Sequence, residues 1–376
     1  EVEGVGTDAR VCNLSYLQTD WYIDQMRRPA YDSPSLPISW TRLQYVTGTR
    51  EGIPVQPDAL QQVIDYYKDS PEDLKQMLGD NPYELKNIIR HWVLNDNPDL
   101  QIFPTDSIVV TVDKEAVKRS GMMIAADSIP DVMHISLKGK RAVYKSEMMM
   151  LEMISQANWE RPLYMSTTVG PDNYGHLGDN FVQEGLACRI TPFDTKQSGR
   201  TIDSERMYNN MMNKFKYGGL KENPDIYLDE TVIRMCYTHR RLFNQLAQQL
   251  LKEGQKDKAL KVLQRAEEEI PGSIVPHEAF YGHSLELADA WLALGHKAEA
   301  EKLLNAVGQN AKEYIEWYLS LNTQRLLQSS RECLMQIYIL NDIAKTWEPI
   351  DKKKAETYRM EVNNYASRCH QRGMSL

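Results

Sequence analysis

The sequence has no long apolar run and no excess of basic residues. Its longest unbroken apolar stretches, such as Met122–Ala126, are far shorter than the ~18 to 20 residues that a membrane-spanning helix needs. The 44 Lys and Arg residues are outnumbered by 52 Asp and Glu residues, which gives a formal net charge of −8. We therefore predict no membrane span, and no surface built for nucleic acid or anionic lipid. With 42% hydrophobic and 26% charged residues, the composition is typical of a soluble globular protein of roughly two domains.

Cysteine is scarce, and the common motifs of metal, cofactor and hydrolase sites are missing. The five cysteines are odd in number, widely spaced and without a C-x-x-C pair, so they predict neither a disulfide framework nor a zinc site. There is no H-E-x-x-H, no G-x-S-x-G, no phosphate-binding G-x-x-x-x-G-K-[ST] loop and no G-x-G-x-x-G. We predict no metal, no cofactor and no catalytic residue in this chain.

Short apolar runs alternate with helical patterns over residues 1–225, which is the pattern of an α/β domain. The predicted strands are Ala9–Leu17, Ser107–Val112, Met133–Leu137, Pro162–Thr168 and Leu186–Thr191. The predicted helices are Thr19–Arg28, Pro57–Tyr67, Pro71–Leu78, Pro82–Val93, Lys145–Asn158 and Ser204–Phe215. The strand-helix order favours a Rossmann-like layered, mostly parallel sheet. Glu1–Gly4 resembles the last turn of a helix, so we expect an upstream part of this fold.

Residues 226–376 carry a purely helical pattern with an internal repeat. Leu246, Ala247, Gly254, Ala259, Leu263 and Ala266 are matched 41 residues later by Leu287, Ala288, Gly295, Ala300, Leu304 and Val307. This arrangement of small and large apolar residues around a glycine resembles the tetratricopeptide repeat, whose period of about 34 leaves roughly seven extra residues here. A final helical pair, about 323–346 and 351–370, is expected to cap the stack. The large aromatic residues of the repeats either line a groove or fill the interior. They are Trp291, Tyr314, Trp317 and Tyr318.

Two polar segments follow predicted strands, where ligands bind in open α/β sheets. Their mixture of carboxylates, amides and aromatic rings suits a sugar, so a glycan is a possible ligand. Helix capping and ordinary loops explain the same residues. The candidate ligand-binding residues are Asn13, Asp20, Trp21 and Tyr22 in the first segment, and Asp172, Asn173 and Tyr174 in the second.

Six segments of the sequence match one protein family in the same order. They are Arg10–Met26, Leu36–Trp40, Asp113–Val117, Asn158–Tyr164, Met211–Gly219 and Tyr227–Glu230. Through them the chain resembles, over essentially its whole length, the soluble C-terminal region of a family of large multi-pass membrane proteins that is common in Bacteroidetes and related to protein O-mannosyltransferases.

The resemblance implies a membrane half of the C-type glycosyltransferase kind, followed by a domain at the periplasmic face of the inner membrane. The family's catalytic acidic residue lies in the membrane half, so this chain is expected to be non-catalytic and to bind an acceptor polypeptide or a partner protein through its repeats. Two alternatives stay open. The α/β half acts on a glycan or nucleotide-sugar with Asp20 and Asp172 as paired carboxylates, or the chain is a free-standing scaffold.

Overall fold

The computed structural model describes residues 7–374, so the helical turn expected at Glu1–Gly4 lies outside the described residues. The chain forms two compact units, one up to Asp203 and one from Ser204 onward. The sequence pattern predicts a domain boundary after residue 225. In the structure, residues 204–225 already belong to the second unit and contact its later helices. The Ser204 hydroxyl donates to Glu253 over 2.8 Å, and the short helix Leu220–Glu222 packs on the helix that begins at Lys256.

The first unit mixes short strands with short helices. Its strands are β1 (Gly52–Pro54), β2 (Ser107–Thr111), β3 (Val132–Ser136), β4 (Ala142–Tyr144), β5 (Tyr164–Ser166), β6 (Phe181–Gln183) and β7 (Ala187–Ile190). Its α-helices are α1 (Asp20–Met26), α2 (Arg42–Tyr45), α3 (Ala59–Tyr66), α4 (Pro71–Leu78), α5 (Leu85–Ile88), α6 (Lys114–Arg119), α7 (Lys145–Ala157) and α8 (Thr195–Ser198). A π-helical turn over Ile89–Val93 extends α5. The mixed α/β class of this unit is therefore confirmed.

The named strands form three small antiparallel sheets, not one layered sheet. β1 pairs with β4, β2 pairs with β3, and β7 lies between β5 and β6. The prediction of a Rossmann-like, mostly parallel sheet is wrong for the described residues, where parallel pairing is limited to isolated bridges such as Glu84 with Val109. β3 shows the reason, because Met133 and Ile135 are buried while His134 and Ser136 are exposed, an alternation typical of antiparallel sheets.

The first predicted strand, Ala9–Leu17, is not a strand. Leu14–Gln18 forms a 3-10 helix. Asn13 caps its start, because the Asn13 side chain accepts a hydrogen bond from the Tyr16 amide over 3.2 Å. Local side-chain capping of this kind competes with extended pairing, which a pattern of apolar residues does not reveal. The other four predicted strands overlap β2, β3, β5 and β7.

Helix α7 is the centre of the first unit. It is buried on nearly every side, and its four methionines pack in the core. The core continues through side chains from distant parts of the chain, including Trp40, Phe103 and Val143. Even Glu152 on this helix is fully buried, where its carboxylate accepts hydrogen bonds from the Ser39 amide (2.8 Å) and hydroxyl (2.6 Å). The unit is thus held together by contacts between residues far apart in sequence.

Within residues 204–374, the second unit contains helices and no strand. They are α9 (Ser204–Asn209, extended by a π-helical turn over Asn210–Lys214), α10 (Glu230–Lys252), α11 (Lys256–Glu269), α12 (Ser284–Ala293), α13 (Lys297–Ser320), α14 (Thr323–Gln328), α15 (Ser330–Trp347) and α16 (Lys352–Gln371). Consecutive long helices pack as pairs, α10 with α11, α12 with α13, and α15 with α16. The all-helical second region is therefore confirmed. Among residues 7–374, no helix combines the length and the apolar character that crossing a membrane requires.

The two repeats that match in sequence also have the same backbone conformation at the ends of their first helices. Gly254 after α10 and Gly295 after α12 both adopt the left-handed conformation, with φ of +75° and +83°. The same hydrogen bonds close both helices: Gln255 N donates to Leu250 O over 2.8 Å, and His296 N donates to Trp291 O over 2.9 Å. All the apolar positions matched in sequence are buried; they are Leu246, Ala247, Ala259, Leu263, Ala266, Leu287, Ala288, Ala300, Leu304 and Val307.

The extra residues of the repeat lie between α11 and α12. This connection is anchored by Arg240 of α10, whose guanidinium is fully buried and donates to the carbonyl oxygens of Ile270, Val275 and Pro276 over 2.9–3.1 Å. Burial lowers the pKa of this guanidinium from its usual value. The long connection between the two repeats is therefore a fixed part of the unit.

Candidate functional site

The first predicted polar segment is assembled around an aromatic cluster formed by Tyr16, Trp21 and Tyr22. The three rings contact each other at angles, with centroid distances of 5.5–5.7 Å. Tyr22 is buried and its hydroxyl accepts a hydrogen bond from the Asn13 amide over 2.7 Å, while burial raises its pKa. Tyr16 and Trp21 are 50% and 55% exposed, and therefore offer ring surface to solvent. The structure thus brings Asn13, Trp21 and Tyr22 together.

Asp20 lies beside this cluster but is occupied by local contacts. Its carboxylate accepts a hydrogen bond from the Trp21 amide over 2.7 Å and lies 3.5 Å from the Arg42 guanidinium. Arg42 also pairs with Asp24, which accepts a hydrogen bond from the Tyr45 hydroxyl over 2.6 Å. The Trp21 amide and the Arg42 guanidinium therefore account for the position of Asp20, whereas Thr19, which precedes α1, makes no side-chain capping hydrogen bond.

The second predicted segment lies in a loop after β5. Asp172 and Asn173 are exposed on the short 3-10 helix Pro171–Asn173, and the ring of Tyr174 packs against Phe181 at 4.9 Å. Within residues 7–374, no hydrogen bond, ion pair or ring contact joins this segment to Asn13, Asp20 or the aromatic cluster. The arrangement gives no support to paired action by Asp20 and Asp172.

A polar cleft of about 930 Å³ lies in the first unit, and sequence reasoning did not predict it. Its floor is the outward face of β3, and its other walls come from the loops that precede β3 and follow β7. The loop between β5 and β6 also contributes, and His176 of this loop lines the cleft. The other polar lining residues are Ser107, Asp127, Ser128, Asp131, His134, Ser136, Asp179, Asn180, Asp194, Gln197, Ser198 and Arg200.

The backbone at His176 is shaped by a tight turn. Gly175 and His176 both have positive φ, of +56° and +64°, which non-glycine residues such as His176 rarely adopt. A Cβ atom at Gly175 would lie only 2.2 Å from the Cε of Met150, so a larger residue there would have to displace this methionine side chain as well as adopt a positive φ. The packing of this turn onto α7 holds His176 at the cleft.

Most carboxylates of the cleft are already near a cation or a backbone amide. Asp131 pairs with Lys114 at 2.6 Å, Asp179 lies 3.9 Å from Lys196, and Asp127 lies 4.0 Å from Arg200. Asp194 accepts a hydrogen bond from the Gln197 amide at the start of α8. With four aspartates and one arginine in its lining, the cleft disfavours phosphate and other anions and suits neutral groups that form hydrogen bonds.

The cleft lacks the arrangement of an activated nucleophile. Among its described residues, no serine hydroxyl is hydrogen-bonded to His134 or His176, the contact by which a base activates a hydroxyl. Over residues 7–374 there is also no group of three or more His, Cys, Asp or Glu side chains placed to hold a metal ion. The only signal of the cleft in the sequence is the alternation along β3, and periodicity does not show which loops meet above a strand.

In the second unit, the aromatic residues of the repeats divide between interior and surface. Trp291 is buried, Tyr318 is half-buried, and Tyr314 and Trp317 on α13 are 47% and 55% exposed. The rings of Trp317 and Tyr318 contact each other with centroids 4.8 Å apart. Trp291 is thus an interior residue, whereas Tyr314 and Trp317 present ring surface to solvent.

Comparison with known proteins gives one family. A family model described as TMEM260-associated domain 2 matches residues 1–210, more than half of the chain. No curated protein and no solved structure matches the chain significantly. The chain belongs to the TMEM260-associated domain 2 family.

Proposed function

We propose that this chain is the non-catalytic, extracytoplasmic part of a glycosyltransferase-like membrane protein related to protein O-mannosyltransferases, at the periplasmic face of the inner membrane. Its helical unit binds an acceptor polypeptide or a partner protein while the chemistry takes place elsewhere. The observation that carries this proposal is the repeated helix pair of the second unit. Membership of the TMEM260-associated domain 2 family supports the link to a membrane protein.

The helix pairs α10–α11 and α12–α13 support assignment as tetratricopeptide-like repeats. Each pair has buried Ala and Leu residues at matched positions and a left-handed glycine between its helices. Repeats of this kind stack into extended surfaces that serve to bind other polypeptides. The long connection between the pairs, fixed by Arg240, accounts for a period longer than the usual one of about 34 residues.

Exposed aromatic side chains give the helical unit a suitable binding surface. Tyr314 and Trp317 lie one helical turn apart on α13, and Tyr281, 63% exposed, stacks with the Arg234 guanidinium at 5.6 Å. Tyr, Trp and Arg are the residues that most often dominate the binding energy of protein interfaces. A polypeptide partner is therefore expected to bury Trp317.

The test is a pull-down from periplasmic extract with the 376-residue chain, followed by titration of each captured protein against purified variants. Trp317→Ala is expected to weaken binding at least tenfold, which corresponds to about 1.4 kcal/mol. Trp21→Ala is the matched control, because Trp21 is equally exposed but belongs to the first unit. Equal binding by the wild type and Trp317→Ala would contradict a partner site on this surface.

A second candidate function is glycan binding by the aromatic cluster. Partly exposed rings beside a carboxylate are suited to stack on a sugar face and to accept its hydroxyl hydrogen bonds, and Tyr16, Trp21 and Asp20 present this combination. Binding of neutral oligosaccharides can be measured by tryptophan fluorescence. Here Trp21→Ala is expected to abolish the response and Trp317→Ala to preserve it, whereas an unchanged response in Trp21→Ala would rule out this site.

A further inference from the structure

Two cysteines that are far apart in the sequence meet inside the second unit. Cys333 lies near the start of α15 and Cys369 near the end of α16, and their Sγ atoms are 3.9 Å apart. Both side chains are fully buried between helices that pack closely on each other. Within residues 7–374, no other two cysteine sulfurs are in contact, so the fold selects this pair from five cysteines.

We propose that Cys333 and Cys369 form a disulfide bond that joins α15 to α16 in an oxidising compartment. The compartment is the one given by the proposed function, since disulfides persist in extracytoplasmic spaces and are rare in the cytosol. A disulfide requires an S–S distance of about 2.05 Å. The two sulfurs, now 3.9 Å apart, must therefore move closer, by rotation about the χ1 angles of the two cysteines, for the bond to form.

The position of the bond gives it a structural effect. α15 and α16 are joined by a short turn at 348–351, and the cysteine pair lies at the opposite end of this helix hairpin. The C-terminal end of α16 is also held by Arg372, which donates to the carbonyl oxygens of Leu319 and Leu321 over 2.7 Å. A disulfide here would tie the open end of the last helix pair, which caps the repeats.

The bond forms by thiol–disulfide exchange with a disulfide donor, either a protein disulfide or glutathione disulfide. The thiolate of one cysteine attacks a donor sulfur, which releases the first donor thiolate and leaves a mixed disulfide. The second cysteine then attacks its partner's sulfur and releases the second donor thiolate. The cysteine pair loses two electrons and two protons, and the donor disulfide is reduced to two thiols.

Burial determines when this exchange takes place. In the folded unit, burial raises the pKa of the Cys333 thiol to about 12, so little of it is present as the reactive thiolate. Exchange is therefore expected while the chain is folding, before α15 and α16 exclude the donor. Once formed, the bond is shielded from reductants by the same packing.

The experiment refolds the reduced chain in buffers of glutathione and glutathione disulfide, and then counts free thiols after denaturation. We expect three titratable thiols in the oxidised chain and five after reduction, with a peptide that links Cys333 to Cys369 found by mass spectrometry. Cys188→Ala is the control and should lose two thiols on oxidation in the same way. Cys369→Ala should keep all four of its thiols. The oxidised wild type should also melt several degrees above its reduced form.

Five free thiols at every glutathione ratio, or a linked peptide between other cysteines, would overturn the proposal. The wild-type thiol count and peptide map decide this without any variant, so a misfolded variant does not confuse the result. Because refolding in vitro involves no cellular compartment, a pair that oxidises in vitro but is reduced in the native protein would contradict the extracytoplasmic location and not the pairing.

Discussion

The two units of this chain differ in how far apart in sequence the residues are that pack together. In the first unit, three small antiparallel sheets share one core with the buried helix α7, and core residues such as Trp40 and Phe103 come from segments far apart in the chain. In the second unit, each long helix packs chiefly on its neighbours along the chain, and the same pattern returns 41 residues later. The first unit therefore depends on non-local contacts, whereas the second is dominated by contacts between sequential elements.

The difference has a consequence for function. The irregular first unit carries loops that create a cleft and an exposed aromatic cluster, as loops held on a rigid core commonly do. The regular second unit instead offers helix surfaces, where Tyr314 and Trp317 are exposed. We therefore expect a small ligand to bind the first unit and a polypeptide to bind the second. We also expect that the stability of each unit can be altered separately.

The largest effect is expected from truncating a core residue of the first unit. Trp40 is fully buried, and Trp40→Ala should lower the free energy of unfolding by about 3–5 kcal/mol because it leaves a large cavity. Hydrogen exchange should show lost protection in 7–203 and retained protection in 204–374. Leu43→Ala, at a position 80% exposed in the same unit, is the control and should change stability by less than about 0.5 kcal/mol. A uniform loss of protection over the whole chain would contradict the separation of the units.

The reciprocal change truncates a repeat position of the second unit. Leu263 on α11 is 1% exposed, so Leu263→Ala should cost about 2–5 kcal/mol and reduce protection in 204–374. Leu327→Ala, at a position 45% exposed in the same unit, is the control and should be nearly neutral. Loss of protection in the first unit with this variant would show that the two units do not unfold separately.

A smaller, pH-dependent effect is expected at Glu51 of the first unit. Its carboxylate accepts a hydrogen bond from the buried Lys145 ammonium over 2.7 Å, and this bond holds the pKa of Glu51 below its usual 4.5. Because the folded pKa is lower than the unfolded one, the stabilisation is present at neutral pH and is lost as pH falls through the folded pKa.

Glu51→Gln removes the charge partner of the buried Lys145 ammonium. Because the Glu51 side chain is 53% exposed and solvent screens the pair, the change should cost about 1–2 kcal/mol at pH 7. The cost should shrink when denaturation is measured below pH 4.5, where Glu51 of the wild type also becomes protonated. Glu115→Gln, which breaks the exposed pair with Lys118, is the control and should cost less than about 1 kcal/mol. A cost that does not vary with pH would argue against the ionic role of Glu51.

The smallest effect concerns the repeated glycines of the second unit. Gly254→Ala and Gly295→Ala meet no neighbouring atom within 4 Å, so their cost is only that of a side chain at positive φ, about 1 kcal/mol each. Gly218→Ala is the control, because it also has free space and no positive φ, and it should be nearly neutral. Clearly unequal costs for Gly254 and Gly295 in thermal unfolding would show that the two turns are not equivalent.

The comparison also explains which predictions from the sequence succeeded. The helices of the second unit and its matched buried positions could be predicted, because helical periodicity and glycine ends are local signals. In the first unit, helices such as Pro71–Leu78 and Lys145–Ala157 were predicted nearly to their ends. Strand direction was predicted wrongly, since the alternation of strand and helix does not say which edges pair. The sequence proposed the residues of the first polar segment as candidates, but it did not predict that Tyr16 packs against them.

The amino-acid sequence by itself determined the mixed first half, the repeated helices and the positions of the turn glycines, because these depend on residues within a few helical turns of each other. Only the tertiary structure decided that the strands pair antiparallel, that His176 meets β3 in a cleft, and that Cys333 lies 3.9 Å from Cys369. Each of these depends on how segments distant in the chain pack together. Packing is specified by the whole set of core contacts, and no local pattern contains it.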